Sequence, residues 1–226
     1  MDWKRYAIYW LPDGSLGQAG ANWLGWDVRT GTRVAGADPC TETPRKYGFH
    51  ATIKPPFRLA DGVTPEDLRS AAENLARQLA PVDLGRLTVR RLGRFLALTP
   101  DVNPGGLAAR VVEGLDGFRA PSQAEDLARR RATGLTLAQD ALLVKWGYPY
   151  VMDEFRMHLT LTGPNPSDVV EARVAEIFPP LAGPHVLNTL SLAGEDAAGR
   201  FHLIADLPFA GHAAASDKTD RAAPTA

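Results

Sequence analysis

An α+β fold of two related halves is what this chain predicts, on three observations. A His-x-Thr phrase set in an apolar, strand-like run occurs once in each half, as Phe49-His50-Ala51-Thr52-Ile53 and as Met157-His158-Leu159-Thr160-Leu161. Each half combines that run with further strand-like runs and with a helix opened by a hydroxyl cap. The apolar positions switch between a period of two and a period near 3.6 as the chain passes from one kind of run to the other.

Tyr6 to Leu11 is rich in strand formers and stops at the turn signal Pro12-Asp13-Gly14, which makes it the first strand. The stretch to about Pro44 is irregular. Asn22 to Trp26 is expected as part of a short helix that sets Trp23 and Trp26 on one face, with core packing as the ordinary use of such rings. The first His strand must end or bend at Pro55-Pro56, because neither proline can donate to a ladder. Thr64-Pro65-Glu66-Asp67 then supplies a cap, a proline at the first helical position and acids in the first turn. Leu68, Ala71, Ala72, Leu75 and Leu79 are its apolar stripe.

Leu84–Arg91 and Phe95–Thr99 read as a hairpin around Leu92-Gly93-Arg94, followed by helices over about 107–115, from about Ser122, and over 136–146. Arg129-Arg130-Arg131 in the second of these reads as a solvated helix face. Leu137, Leu142, Leu143 and Trp146 are the expected buried side of the third. Phe155–Thr162 is the second His strand, Ser167-Asp168 caps a helix with Val170, Val174 and Ile177 spaced for burial, and Val186–Leu192 with Phe201–Leu207 closes the chain as a hairpin.

Because side chains alternate across a strand, His50 and Thr52 point to one face while Phe49, Ala51 and Ile53 point to the other. His158, Thr160 and Thr162 repeat this against Met157, Leu159 and Leu161. An imidazole can give or take a proton near neutral pH, and a threonine hydroxyl can donate to a phosphate oxygen. Two such pairs brought together would make a symmetric clamp around a phosphodiester. Two histidines in opposite protonation states predict a bell-shaped pH profile that belongs to the pair. Which is base and which acid stays open at this level. By strand parity Lys54 and Arg156 join the respective histidine faces, and Tyr47, Tyr148 and Tyr150 are candidates to stack on a sugar or base.

Composition bounds the function. The chain has 226 residues, 45% of them hydrophobic, enough for a substantial core. Residues 1–210 are expected to form a single domain of two lobes, and the Ala-, Ser-, Thr- and Pro-rich stretch 211–226 a disordered tail. The net charge of −1 argues against long nucleic acid as the main ligand. Cys40 is the single cysteine and reads as a loop residue, and neither His-Glu-x-x-His nor paired Cys is present, so a metal site is not expected. A Gly-rich loop followed by Lys-Ser or Lys-Thr is absent, which removes the kinase and NTPase readings. The opening residues lack signal-peptide character and no apolar run is long enough to span a bilayer, so the cytoplasm is the expected location.

The two His-x-Thr phrases together resemble the paired signature of the two-histidine (2H) phosphoesterase superfamily, which includes RNA ligase-like proteins and cyclic phosphodiesterases. The longer words Tyr47-Gly48-Phe49-His50-Ala51-Thr52-Ile53-Lys54-Pro55-Pro56-Phe57-Arg58, Arg5-Tyr6-Ala7-Ile8-Tyr9 and Trp146-Gly147-Tyr148-Pro149-Tyr150 resemble its branch associated with bacterial phosphonate-utilisation genes. The resemblance implies two pseudo-symmetric lobes, each an antiparallel sheet with helices on its outer face, enclosing a central cleft. It implies His50 and His158 as catalytic residues, Thr52 and Thr160 as phosphate-binding residues, and hydrolysis of a small cyclic phosphodiester, a ribose-derived cyclic phosphate among them, with no metal or cofactor. The expected partner is a small cyclic phosphate or nucleotide, with RNA as a weaker candidate, and the expected state is a monomer. Two alternatives stay open: RNA 2′,3′-cyclic phosphate processing or 2′,5′ ligation, and a non-catalytic phosphate-ligand binding protein.

Overall fold

In the computed structural model, which describes residues 2–179, 181 and 183–211, the strand-like runs assemble into one sheet. Apart from Gly211, the expected disordered tail lies outside those residues. The sheet's seven strands are β1 (Arg5–Trp10), β2 (Ala51–Phe57), β3 (Leu87–Leu92), β4 (Phe95–Pro100), β5 (Leu159–Thr160), β6 (Thr189–Glu195) and β7 (Phe201–Pro208). Their spatial order is β7-β6-β1-β2-β5-β4-β3, every neighbouring pair antiparallel.

The two His-x-Thr strands, β2 and β5, are therefore central neighbours in one sheet rather than members of two facing sheets. They are joined through the single pair Ala51↔Leu159, so the sheet is thinnest where its halves meet. That arrangement follows from backbone accounting, since a strand buried at the middle must find partners for its N–H and C=O groups on both sides. Each motif strand supplies the other's inner edge. Both halves of this sheet draw strands from distant parts of the sequence.

Helices α1 (Gly14–Leu24), α2 (Pro65–Ala76), α3 (Gly105–Gly114), α4 (Ala124–Arg131), α5 (Leu137–Trp146) and α6 (Asp168–Ile177) complete the fold. Leu68 and Ala72 of α2, Leu107, Ala108 and Val111 of α3, and Val170 and Val174 of α6 share one core with Ile8, Ala51, Ile53, Leu98 and Leu159 of the sheet. Each fully buried aliphatic side chain there contributes about 2 kcal/mol. The cap predicted at α2 forms, as a reciprocal capping box with the Thr64 hydroxyl accepting from the Asp67 N–H and the Asp67 carboxylate accepting from the Thr64 N–H. A second box, Thr136 with Gln139, opens α5.

Several expectations need correcting. The helix expected at 22–26 begins instead at Gly14 and stops at Leu24, where Gly25 takes a left-handed φ of 78°. Trp26 is thus outside it, and the two indoles bury apart, donating to the carbonyls of Leu161 and Phe201 respectively. Leu137 is 93% exposed at the first position of α5, where no neighbouring element covers it, and Ile177 is 39% exposed at the end of α6. The second His strand is two residues long rather than eight, because 152–154 form a 3-10 turn and the chain reaches the sheet only at Leu159.

Candidate active site

The sheet's other face carries Ala7, Tyr9 and Leu11 from the β1 run, covered by Trp26, Val28, Phe201 and the partly buried Tyr47. This is the histidine face. Ala51 and Leu159 both point into the main core. His50 and His158 stand just outside that pair, one beside each strand, close enough for the charge of His158 to bear on His50.

The two histidines are held in the same way. Nδ1 of His50 donates to the Gly48 carbonyl oxygen at 2.9 Å, and Nδ1 of His158 donates to the Arg156 carbonyl oxygen at 2.7 Å. A carbonyl can only accept, so each Nδ1 carries a hydrogen and each Nε2 is left for proton exchange. Nε2 of His50 lies 3.1 Å from the Thr52 hydroxyl. Gly48 matters to this arrangement. Its φ is +68°, and a Cβ there would collide with Cγ2 of Val28, so only glycine presents that carbonyl from that position.

Burial pushes the His50 imidazole down from 6.5 to about 4, with the nearby His158 adding to the effect and the Gly48 hydrogen bond opposing it. His50 is accordingly neutral at pH 7. Its ring lies 4.0 Å from that of Tyr9 and 6.0 Å from that of Tyr47, while His158 has Phe95 at 5.8 Å. If His50 supplies a base, kcat/KM should fall as pH drops through about 4, where the ring gains its proton, and stay level between there and 6.5 on the acid side. A pH–rate profile checks this; an acid limb centred near 6.5 would place the base elsewhere.

Lys54 does not join this face. Tyr9 pairs with Thr52 but Ile8 pairs with Lys54, so two residues of β2, Ile53 and Lys54, oppose one of β1. This bulge turns Lys54 to the same side as Ile53, against parity. Its ammonium, on a side chain only 2% exposed, donates to the Val112 carbonyl at 3.0 Å and to Asp116 at 3.3 Å. Arg156 does not join either. With 155–158 outside any strand its parity has no force, and its guanidinium donates to the carbonyls of Asp153 and Phe155 at 2.8 and 2.7 Å.

Of the three tyrosines, Tyr47 stacks on Phe201 beside His50, Tyr148 lies under the Arg130 guanidinium at 4.5 Å, and Tyr150 is exposed and edge-on to Tyr148. Sequence reasoning missed Tyr9, which lies directly over His50. The signal was present, since Ala7, Tyr9 and Leu11 alternate on a run already read as a strand, but the facing partner was not visible. Among the described residues no group of three or more His, Cys, Asp or Glu side chains is placed to hold a metal ion.

Comparison with known proteins gives the chain its relatives. Over 173 residues it is 40% identical to a protein of Janthinobacterium sp. (strain Marseille) named ribose 1,5-bisphosphate phosphokinase PhnN, covering 70% of this chain and 38% of that one. Over 171 residues it is 34% identical to the protein of the same name from Laribacter hongkongensis (strain HLHK9), covering 70% and 40%. The chain thus spans about four tenths of the length of the curated relatives it matches. Among solved structures it is similar to E. coli LigT complexed with 3′-AMP, at 14% identity, TM-score 0.43 and coverage of 92% of this chain and 99% of that one. The LigT complex with NADP+ gives 12% identity, a TM-score of 0.44 and the same coverage. Residues 52–202 match the model of a protein family of unknown function, DUF1045, and the chain belongs to that family.

Proposed function

We propose that this protein is a metal-independent phosphodiesterase of the 2H type that opens a small cyclic phosphodiester, with His50 as general base and His158 as general acid. The observation that supports the reading is that the two histidines flank neighbouring strands joined at Ala51 and Leu159, each imidazole anchored through Nδ1. In the proposed step Nε2 of His50 takes a proton from water as its oxygen attacks phosphorus. The ring P–O bond breaks, and the leaving oxygen takes the proton from Nε2 of protonated His158. The products are a phosphomonoester and a free hydroxyl, with the proton on His50 returned to solvent. Thr52 and Thr160 donate to the non-bridging oxygens as charge gathers on them. Acid, base and hydrogen-bond donors all come from the chain itself, and ring strain in the substrate lowers what they must supply.

A phosphorylated ribose is the proposed substrate body. The curated relatives carry a name that refers to ribose 1,5-bisphosphate, and hydrolysis of a cyclic phosphate on ribose yields a ribose phosphomonoester. Those relatives are more than twice this chain's matched length, and this chain has no Gly-rich loop ending in Lys-Ser or Lys-Thr, so the kinase step is not assigned to it. The association with phosphonate-utilisation genes implied by the sequence resemblance is consistent with the same sugar.

The test is an assay of ribose cyclic phosphates and nucleoside 2′,3′-cyclic phosphates with EDTA present. Turnover is expected to be unchanged by chelator. Activity abolished by EDTA and restored by a divalent metal would overturn the metal-independent step, and tight binding without turnover would favour a binding protein instead.

A further inference from the structure

We infer that Asn103 is a positioning residue for His158, acting on it through a single peptide group. The inference rests on the reading above, in which His158 is the general acid, and names what aims that acid.

The two imidazoles are anchored alike but supported differently. His50 is wedged beside the rings of Tyr9 and Tyr47, with the Thr52 hydroxyl at its Nε2. His158 is half-buried, with the Phe95 ring at 5.8 Å and, among the described residues, one hydrogen bond, from Nδ1 to the Arg156 carbonyl at 2.7 Å. The direction of His158 therefore depends on where that carbonyl is held. Residues 155–158 lie outside any strand or helix, so no ladder of their own holds it.

Asn103, in the connection between β4 and α3, supplies the hold from another part of the chain. Its Oδ1 accepts from the Met157 N–H at 3.0 Å, and its Nδ2 donates to the Phe155 carbonyl at 3.0 Å. A backbone N–H can only donate and a C=O only accept, so the two contacts fix which end of the amide is which. An asparagine beside a helix start ordinarily caps the helix. Here α3 opens with no side-chain cap, and both polar ends of the amide go to the segment that carries His158.

The link to the imidazole is direct. The Met157 N–H and the Arg156 C=O are the two ends of one trans peptide group, which is planar and points them in opposite directions. Holding the first aims the second at Nδ1 of His158. A hydrogen bond accepted from the N–H side also polarises the group and makes its carbonyl a better acceptor. The chain runs from Asn103 Oδ1 through the 156–157 peptide to His158 Nδ1–H, and it leaves Nε2 as the nitrogen that delivers the proton.

The experiment compares the wild type with Asn103→Ala, His158→Ala and the double variant. Asn103 is exposed, so its truncation opens no cavity in the core. Histidine nitrogen NMR reads the tautomer without turnover. The signal that His158→Ala deletes is expected in the Nδ1–H form in the wild type and moved toward the Nε2–H form in Asn103→Ala. Asn103→Ala is also expected to lower kcat on a cyclic phosphodiester by about ten- to a hundredfold with KM little changed. That defect should shrink on a nitrophenyl phosphodiester, and the double variant should be no slower than His158→Ala alone. A tautomer unmoved in Asn103→Ala overturns the inference, as does a defect of equal size on both substrates or one that adds to the His158→Ala loss. Asn103→Asp keeps an acceptor for the Met157 N–H while losing the donor to Phe155, and is expected to retain the wild-type tautomer. A shift as large as that of Asn103→Ala would overturn the route through the peptide. A tautomer that moves in a protein without diesterase activity would end the reading of His158 as an acid and leave the hold of Asn103 on it standing.

Discussion

His158→Ala is expected to lower kcat for a ribose cyclic phosphate by about 10²–10⁴, and His50→Ala by a similar factor. His158→Ala should leave the fold intact. Its ring is half-buried, and among the described residues its one hydrogen bond is to the Arg156 carbonyl two residues away. The two losses have different signatures. A general acid matters least when the leaving oxygen departs readily as an anion, so with a nitrophenyl phosphodiester the His158→Ala defect should shrink by at least about tenfold. The His50→Ala defect should persist, because water must still be deprotonated. Equal defects on both substrates would remove the acid assignment, and shrinkage only in His50→Ala would reverse the two roles. The direction assigned here comes from burial: His50 is held neutral by its surroundings, which suits a base.

The histidine pair these variants probe was legible in the sequence to an unusual depth. Parity alone put His50 and Thr52 on one face and Ala51 and Ile53 on the other, and the doubled phrase became doubled geometry down to Nδ1 bonding the carbonyl two residues back. Parity failed where the backbone stopped being regular. The bulge at Ile53–Lys54 is invisible to a period of two, since nothing in Ile-Lys-Pro-Pro announces the extra residue, and it sent a lysine into the core. A 3-10 turn at 152–154 and irregular chain over 155–158 replaced a strand that the apolar alternation suggested, which separated Arg156 from His158. The arrangement of the halves was out of reach for another reason. Local patterning says that a strand has a buried face but not which strand lies beside it, so one sheet with the two motifs at its centre and two opposed sheets have the same sequence signature. The run Arg129-Arg130-Arg131 lies on a helix with no buried residue, as a solvated face should, but the ring of Tyr148 under Arg130 was not visible in the sequence.

Asp116→Ala is expected to destabilise the protein by about 3–5 kcal/mol, a fall in Tm of roughly 10 °C for a chain of this size. Asp116 joins two cations. It accepts from Lys54 at 3.3 Å and, through both oxygens, from Arg119 at 2.8 and 3.1 Å, while Arg119 also donates to the carbonyls of Ala120 and Lys145. Those partners hold the Asp116 carboxyl below its ordinary value even though burial acts to raise it. Removing the carboxylate strands the Lys54 ammonium in the core with only the Val112 carbonyl. Lys54→Met in the wild type should be far milder, within about 1 kcal/mol, because it removes the charge together with its desolvation penalty, and it should recover much of the loss when added to Asp116→Ala. An independent readout is pH. Burial pushes Lys54 down from 10.5 to about 8, so between those values the unfolded chain binds more protons than the folded one and stability rises with pH. In Asp116→Ala the folded value falls further, the window opens at lower pH, and the deficit relative to wild type should narrow on going from pH 7 to 9. Thermal melts of the four proteins at both pH values decide the matter. A deficit that is the same at both, or that Lys54→Met does not relieve, would assign the effect to Arg119 and the ordering of the 116–120 turn instead of to the buried lysine.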